Sequence, residues 1–236
     1  MKDIIGQALL DFQNNNYTED ITTYSSLDEE DVIPLPYLFR TFEEMPKIEQ
    51  RALELCKGKV LDIGCGAGGH SLYLQAKELD CTALDISHGA ISVCTSRGVQ
   101  KTVQNNILNF SGTKFDTLLL LMNGIGIAGA LEQLGVYLKH FESLLLPDGQ
   151  ILLDSSNIIY MFDQDEDGGY WIPDNGRYYG EVEFQMAYKN SFGERFKWLY
   201  VDFETLTRVC TVNGFDCELV MQGEHYDYLA KLALKS

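Results

Sequence analysis

The chain has 236 residues, 45% of them hydrophobic, which supports one sizeable core with appendages. Its 18 basic against 35 acidic residues leave a formal net charge of -17, which repels phosphate backbones and argues against a nucleic-acid partner. No apolar run approaches a bilayer span, "MKDIIGQALLDFQ" is too acidic and too short for a signal sequence, and the six cysteines form no C-x-x-C pair or dense framework. A soluble, cytoplasmic protein with no membrane partner is the expectation.

Residues 1–57 are acidic and irregular at first, with "NNNYTED" and "SSLDEEDVIPLP" as breaker stretches before a helical "YLFRTFEEMPKIEQRALELC". They are expected to form an N-terminal helical cap over a domain spanning 58–236. From Lys59 short apolar runs alternate with amphipathic segments, the rhythm of a mostly parallel sheet covered on both faces. The candidate strands are "KVLDIG", "CTALDIS", "KTVQNN", "FDTLLLLMN" and "QILLDSS". Leu131, Leu134, Leu138, Phe141 and Leu145 recur at steps of three and four, a helical stripe that stops at Pro147, Asp148 and Gly149. Ser87 can cap the helix after the second strand, and Gly98 can end it.

The rhythm lapses over about 156–200, an insert with an acidic, aromatic part followed by a β-hairpin around 190–193. A helix over 203–213 and a closing strand pair, 215–221 and 226–234, complete the chain.

The stretch "VLDIGCGAGGHSLYL" holds two overlapping glycine codes. Gly64, Gly66 and Gly69 spell the G-x-G-x-x-G of a dinucleotide site, while Asp62, Gly64, Gly66 and Gly68 spell D-x-G-x-G-x-G. Either code needs a strand, a side-chain-free turn and a helix N-terminus. Asp85 ends the second strand about twenty residues on, where a carboxylate accepts the hydroxyls of an adenosine ribose. Both features suit NAD as well as S-adenosylmethionine. Asp62 discriminates between them: its charge opposes a pyrophosphate and suits the ammonium of a methionine.

With these residues in view, the chain resembles the class I S-adenosylmethionine-dependent methyltransferases. "LDIGCGAG" is similar to their first motif, "ALDIS" to their acidic second motif, "FDTLLLLMN" to their fourth strand, and "LLLPDGQILLD" to the segment ending in their fifth. The resemblance implies an α/β, Rossmann-like, seven-stranded, mostly parallel sheet with an antiparallel last strand and helices on both faces. It also implies that Asp62 and the loop Gly64, Cys65, Gly66 and Gly68 hold the methionine end of the cofactor S-adenosylmethionine, and Asp85 the ribose. Ile86 would then pack on adenine, with Asn105 or Asn106, the latter aligning better, and Ile107 beside it. Asn123, just after the fourth strand where the family often places groups that deprotonate the acceptor, is a candidate to contact the cofactor or orient a substrate but not to act as a base, and Arg40 is a candidate for the cofactor carboxylate or for a surface ion pair.

His225, in the turn between the last two strands, is a further candidate to overhang the substrate, whereas His70 reads as helix packing. Tyr170, Trp171, Tyr178 and Tyr179 of the insert are candidate walls for an apolar or cationic acceptor, and Tyr37 and Phe39 of the N-terminal segment could close over the cofactor with Arg40. "DQDEDGGYWIPD" matches part of a calcium-loop template through Asp163, Asp165, Asp167, Gly168 and Asp174, but lacks the closing Glu and flanking helices. The sequence thus reads as a methyltransferase acting on a small-molecule substrate, with a NAD-linked oxidoreductase and a non-catalytic S-adenosylmethionine-binding module as alternatives.

Overall fold

A computed structural model of the protein describes residues 2–172 and 176–235. Helix α1 (Ile4–Gln13) starts at Asp3, whose carboxylate accepts the Gly6 amide at 2.9 Å. Strands β1 (Ile21–Ser25) and β2 (Glu30–Ile33) form an antiparallel hairpin. Helix α2 (Leu35–Leu38), a 3-10 turn at Phe42–Glu44 and α3 (Lys47–Leu55) follow. The helical stretch expected after Pro36 is therefore broken, because Pro46 forces Met45 into extended backbone.

The alternating part runs β3 (Lys59–Ile63), α4 (Gly69–Ala76), β4 (Asp80–Asp85), α5 (His88–Ser96), β5 (Thr102–Gln104), β6 (Phe115–Leu120), α6 (Leu131–Leu144) and β7 (Leu145–Ser156). The insert then gives β8 (Glu181–Tyr188), β9 (Ser191–Phe192) and β10 (Phe196–Leu199), before α7 (Phe203–Val212), β11 (Phe215–Gln222) and β12 (Asp227–Leu234). Ser87 does cap α5, accepting the Ala90 amide at 2.9 Å.

The main sheet has the order β11-β12-β7-β6-β3-β4-β5, with β12 antiparallel to both neighbours and the other pairings parallel. Strand alternation sorts its two faces. Leu61, Ile63, Leu118, Leu120, Ile151 and Leu153 point to a core closed by Leu134, Leu138 and Phe141 of α6 and Leu206 of α7. Val60, Leu119, Leu121 and Leu152 point the other way, against Ile48, Ala52 and Leu53 of α3 and Leu74 of α4. The same period of two places Asp62 and Asp154 on the α3 and α4 side. Connections reverse direction between β3 and β6, and a crevice opens there at the carboxyl ends of the strands, where ligands bind in such sheets.

A second, antiparallel sheet has the order β10-β8-β1-β2, with β9 paired to β8. Its strands come from both ends of the fold: Ser25 of β1 pairs with Phe184 of β8, which pairs with Phe196 of β10. The N-terminal segment is thus more than the helical cap expected, since two of its strands complete the insert's hairpin. Short, polar β1 and β2 carry no strong periodicity, and only the tertiary partner makes them strands. Helix α1 crosses α5 so closely that a Cβ on Gly89 would lie 2.4 Å from the Gly6 carbonyl oxygen. Asp3 fastens the crossing by accepting Ser87 Oγ at 2.8 Å and the Gly89 amide at 3.0 Å.

Candidate active site

The turn after β3 settles which glycine code the backbone uses. Gly64, Gly66 and Gly68 have φ of +78°, +52° and +80°, a region that favours glycine, whereas Gly69 is already helical. A Cβ on Gly64 or Gly66 would meet nothing within 4 Å and would project into the crevice. One on Gly68 would meet Cys94 Sγ at 2.9 Å. The loop is pinned to the next strand, because the Gly64 and Cys65 amides donate to the Leu84 carbonyl. Helix α4 begins with no side-chain cap.

Asp85, at the end of β4, accepts the Gly66 amide at 3.0 Å and the Ser87 amide at 2.8 Å. Burial raises its pKa, against those two hydrogen bonds. Ile86 beside it is 64% exposed, and neither residue is among those that line the cavity described below. Asn106 Oδ1 accepts the Leu108 amide at 2.9 Å, Ile107 is buried in the core, and Asn105 binds Asp85 only through its backbone. Cys65 Sγ lies 3.6 Å from Cys94 Sγ, and the hydrogen bond with Cys94, then burial, raise its pKa, so it is no thiolate nucleophile.

Beneath the loop lies a charged network that the sequence reading missed. Asp62 is buried and accepts Ser71 Oγ at 2.6 Å, and burial raises its pKa. Arg40 is buried rather than on the surface: its Nη2 donates to both Glu49 oxygens at 2.5 Å and its Nη1 to the Tyr37 carbonyl at 2.6 Å. Its Nε is buried without a hydrogen-bond partner. His70 Nε2 lies 2.8 Å from Glu49 Oε2, so His70 is a member of the network and not simple packing. Burial opposes both charges, yet the hydrogen bond and charge of His70, with the charge of Arg40, hold Glu49 below the usual carboxylate range. In return, Glu49 and Asp62 hold His70 above the usual histidine range. The available signal was Glu49 itself, a carboxylate on the stripe of α3 that carries Ile48, Ala52 and Leu53.

At the end of β6, Met122 and Asn123 take φ of +60° and +56° in succession, stored backbone strain of the kind found at functional sites. Asn123 is fixed on every side: its amide donates to Asp154 Oδ1 at 2.9 Å, its Nδ2 to the Leu199 carbonyl, and its Oδ1 accepts Ser155 Oγ. Asp154 is pushed up to about 7 by burial and by the charge of Glu49.

These elements enclose a cavity of about 610 Å³, lined by Asp62, Gly64, Gly66, Arg40, His70 and Asn123 on the main-sheet side. Its other wall is the second sheet, through Val182, Phe184, Met186, Phe196, Trp198 and Tyr200. The aromatic wall therefore differs from the one expected. Tyr178 and Tyr179 lie outside the cavity lining, binding Asp202 and Asn157 through their hydroxyls, and Trp171 is 71% exposed. Tyr37 does line the cavity, but His225 does not: its amide caps onto Asp227, while Tyr226 beside it stacks on the cavity residue Tyr160. In the acidic loop, Asp165 Oδ1 accepts the Asp167 and Gly169 amides. No cluster of metal-ligating side chains occurs among the described residues, and Pro173 and Asp174 of the calcium template lie outside them. No described helix is long and apolar enough to cross a membrane.

The strand order, the reversal at β3 and β6, and a glycine loop flanked by two acids define a Rossmann-like, nucleotide-cofactor fold. A family model described as a methyltransferase domain matches residues 60–149. The chain is 42% identical to an S-adenosylmethionine-dependent methyltransferase from Bacteroides fragilis, crystallised with S-adenosyl-L-homocysteine; the match covers 100% of this chain and 96% of that one, with a TM-score of 0.93. It is 28% identical over 130 residues to the putative methyltransferase YqeM of Bacillus subtilis, a match of 48% of this chain and about half, 52%, of that protein's length. The CcbJ methyltransferase of Streptomyces caelestis shares the fold at 11% identity, with 81% and 91% of the two chains covered and a TM-score of 0.64. The protein belongs to the S-adenosylmethionine-dependent methyltransferase family. S-Adenosylmethionine, not NAD, is its cofactor, and the residues present fit it: Gly64 and Gly66 leave a cradle that any Cβ would fill, and the buried Arg40 Nε lacks a partner.

Proposed function

We propose that the protein methylates a small-molecule acceptor held between the glycine loop and the second sheet. The observation that carries this reading is the cavity of about 610 Å³, walled on one side by the loop and on the other by β8 and β10. In this reading Asp62 and the loop Gly64, Cys65, Gly66 and Gly68 hold the methionine end. Asp85 takes the ribose hydroxyls, and Ile86 packs on adenine with Ile107 behind it. Asn106 offers its remaining lone pair to the adenine amino group, and Arg40 turns its free Nε to the cofactor carboxylate. Asn123 closes the wall between the two halves of the cavity.

When bound, S-adenosylmethionine supplies a methyl carbon activated by its positive sulfur. The chain's contribution is alignment and exclusion of water, which the aromatic sheet and the strained turn at Met122 and Asn123 provide. The six free thiols and the negative charge favour a reducing, cytoplasmic setting and a partner other than nucleic acid. The test is incubation with S-adenosylmethionine and separate pools of small metabolites, oligonucleotides and proteins, with S-adenosylhomocysteine and methylated product read by mass spectrometry. Product is expected from the metabolite pool; methylation confined to the protein or nucleic-acid pool would overturn the reading.

A further inference from the structure

The second sheet presents one face to the cavity with unusual chemistry. Alternate residues of two paired strands, Phe184 and Met186 on β8 and Phe196 and Trp198 on β10, form an apolar and aromatic floor, and the register sets Phe196 directly opposite Phe184. Phe196 and Trp198 meet edge to face at a centroid distance of 6.1 Å, and both line the cavity. The Trp198 indole packs closely on bare Gly126, where a Cβ would lie 2.1 Å from Nε1.

Charge around the cavity is equally one-sided. Its only cationic lining groups among the described residues are Arg40 and His70, both beside the glycine loop and both paired to Glu49. On the second-sheet half the charged lining residues are Glu29 and Asp31, exposed at the β1–β2 turn and in β2, and no ion pair of the described residues includes either. Asp31 Oδ1 accepts only its neighbour's amide, at 2.7 Å. An aromatic floor attracts a cation through its quadrupole, and two unpaired carboxylates at the mouth attract it by charge. An anionic acceptor would meet both without a compensating partner.

Resting on the methyltransferase reading, we propose that the acceptor is a small cationic amine: an apolar, ring-bearing body seated on Phe184, Phe196 and Trp198, with a protonated nitrogen directed toward Glu29 and Asp31 as a recognition group, the methylated atom being a different one that keeps its electron pair. The acceptor's charged group and the cofactor's carboxylate are thereby kept at opposite ends of one cavity, each facing the opposite sign.

The experiment uses three probes of one shape, tryptamine (cationic), 3-ethylindole (neutral) and indole-3-propionate (anionic), titrated calorimetrically into the full chain saturated with S-adenosylhomocysteine. Tryptamine is expected to bind at least tenfold more tightly than indole-3-propionate, with 3-ethylindole between them. The double variant Glu29→Gln, Asp31→Asn is expected to bring tryptamine down to the affinity of 3-ethylindole, leaving the melting temperature and the S-adenosylhomocysteine affinity unchanged. Equal or tighter binding of the carboxylate, absence of binding by all three, or an unaltered preference in the double variant would each overturn the proposal. S-Adenosylhomocysteine binding is measured first: its loss would sink the methyltransferase reading, whereas its retention without amine preference would sink only the acceptor class.

Discussion

Replacing Gly66 and Gly68 separately by alanine distinguishes a cofactor cradle from an ordinary tight turn. Both residues have positive φ, so each alanine incurs backbone strain of about 1–2 kcal/mol. Beyond that they diverge. The Gly68 Cβ would collide with Cys94 Sγ at 2.9 Å and crowd Val99 Cγ2 at 3.1 Å, overpacking that adds about 1–3 kcal/mol. The Gly66 Cβ meets nothing within 4 Å and occupies only space open to the ligand. At roughly 2–4 °C per kcal/mol for a chain of this size, Gly66→Ala should melt about 2–8 °C lower, and Gly68→Ala about 4–20 °C lower. Affinity should run the other way, with Gly66→Ala weakening S-adenosylhomocysteine binding more than tenfold, or about 1.4 kcal/mol. Thermal unfolding and calorimetric titration on the same preparations give both quantities. Near wild-type affinity in Gly66→Ala would refute the cradle, as would a melting loss equal to that of Gly68→Ala.

Three further substitutions probe the charged groups. Asp85→Ala should weaken cofactor binding by about 2–4 kcal/mol, because it removes both the proposed ribose acceptor and the hydrogen bond that holds the Gly66 amide; unchanged titrations would reject the assignment. Glu49→Gln leaves the buried Arg40 without its counter-charge and should destabilise the fold by about 3–5 kcal/mol in denaturant unfolding, against a loss below about 1 kcal/mol if the pair acted as a solvated surface bridge. Asp154 carries a pKa raised from 3.8 to about 7, so the folded state holds its proton where the unfolded chain has released it. The stability this confers is full below pH 4 and fades as pH rises through 7, by at most ~4 kcal/mol. Asp154→Asn keeps an acceptor for the Asn123 amide and should flatten that slope in unfolding curves taken from pH 5 to 8; a slope identical to wild type would show that Asp154 is already ionised.

The core was legible because periodicity and burial say the same thing there. Leu134, Leu138 and Phe141 are spaced for one helical face and do lie on the sheet, and the five parallel strands fall within a few residues of their apolar runs. The glycine loop was legible because positive φ restricts residue choice, and Gly69, already helical, falls outside it. The Arg40, Glu49 and His70 network was not, since the three residues come from three elements and only tertiary packing unites them. The cavity's aromatic wall was missed for a related reason. Aromatic density drew attention to Tyr170, Trp171, Tyr178 and Tyr179, while the informative pattern was the alternation in "VEFQM" and "FKWLY", which gives a strand one apolar face.

That face exists only because strands distant in sequence are joined. Ser25 pairs with Phe184 across more than 150 residues of chain, so the N-terminal segment helps fix the cavity wall built by the second sheet. The same segment supplies Arg40 and Tyr37 beside the glycine loop, and Asp3, which clamps α1 to the start of α5 two residues after Asp85. In the reading proposed above, one stretch of chain would therefore border the cofactor at both ends and the acceptor between them. Displacing it would open the cofactor and acceptor halves together, which makes ordering of this segment the natural coupling between filling one half of the cavity and shaping the other.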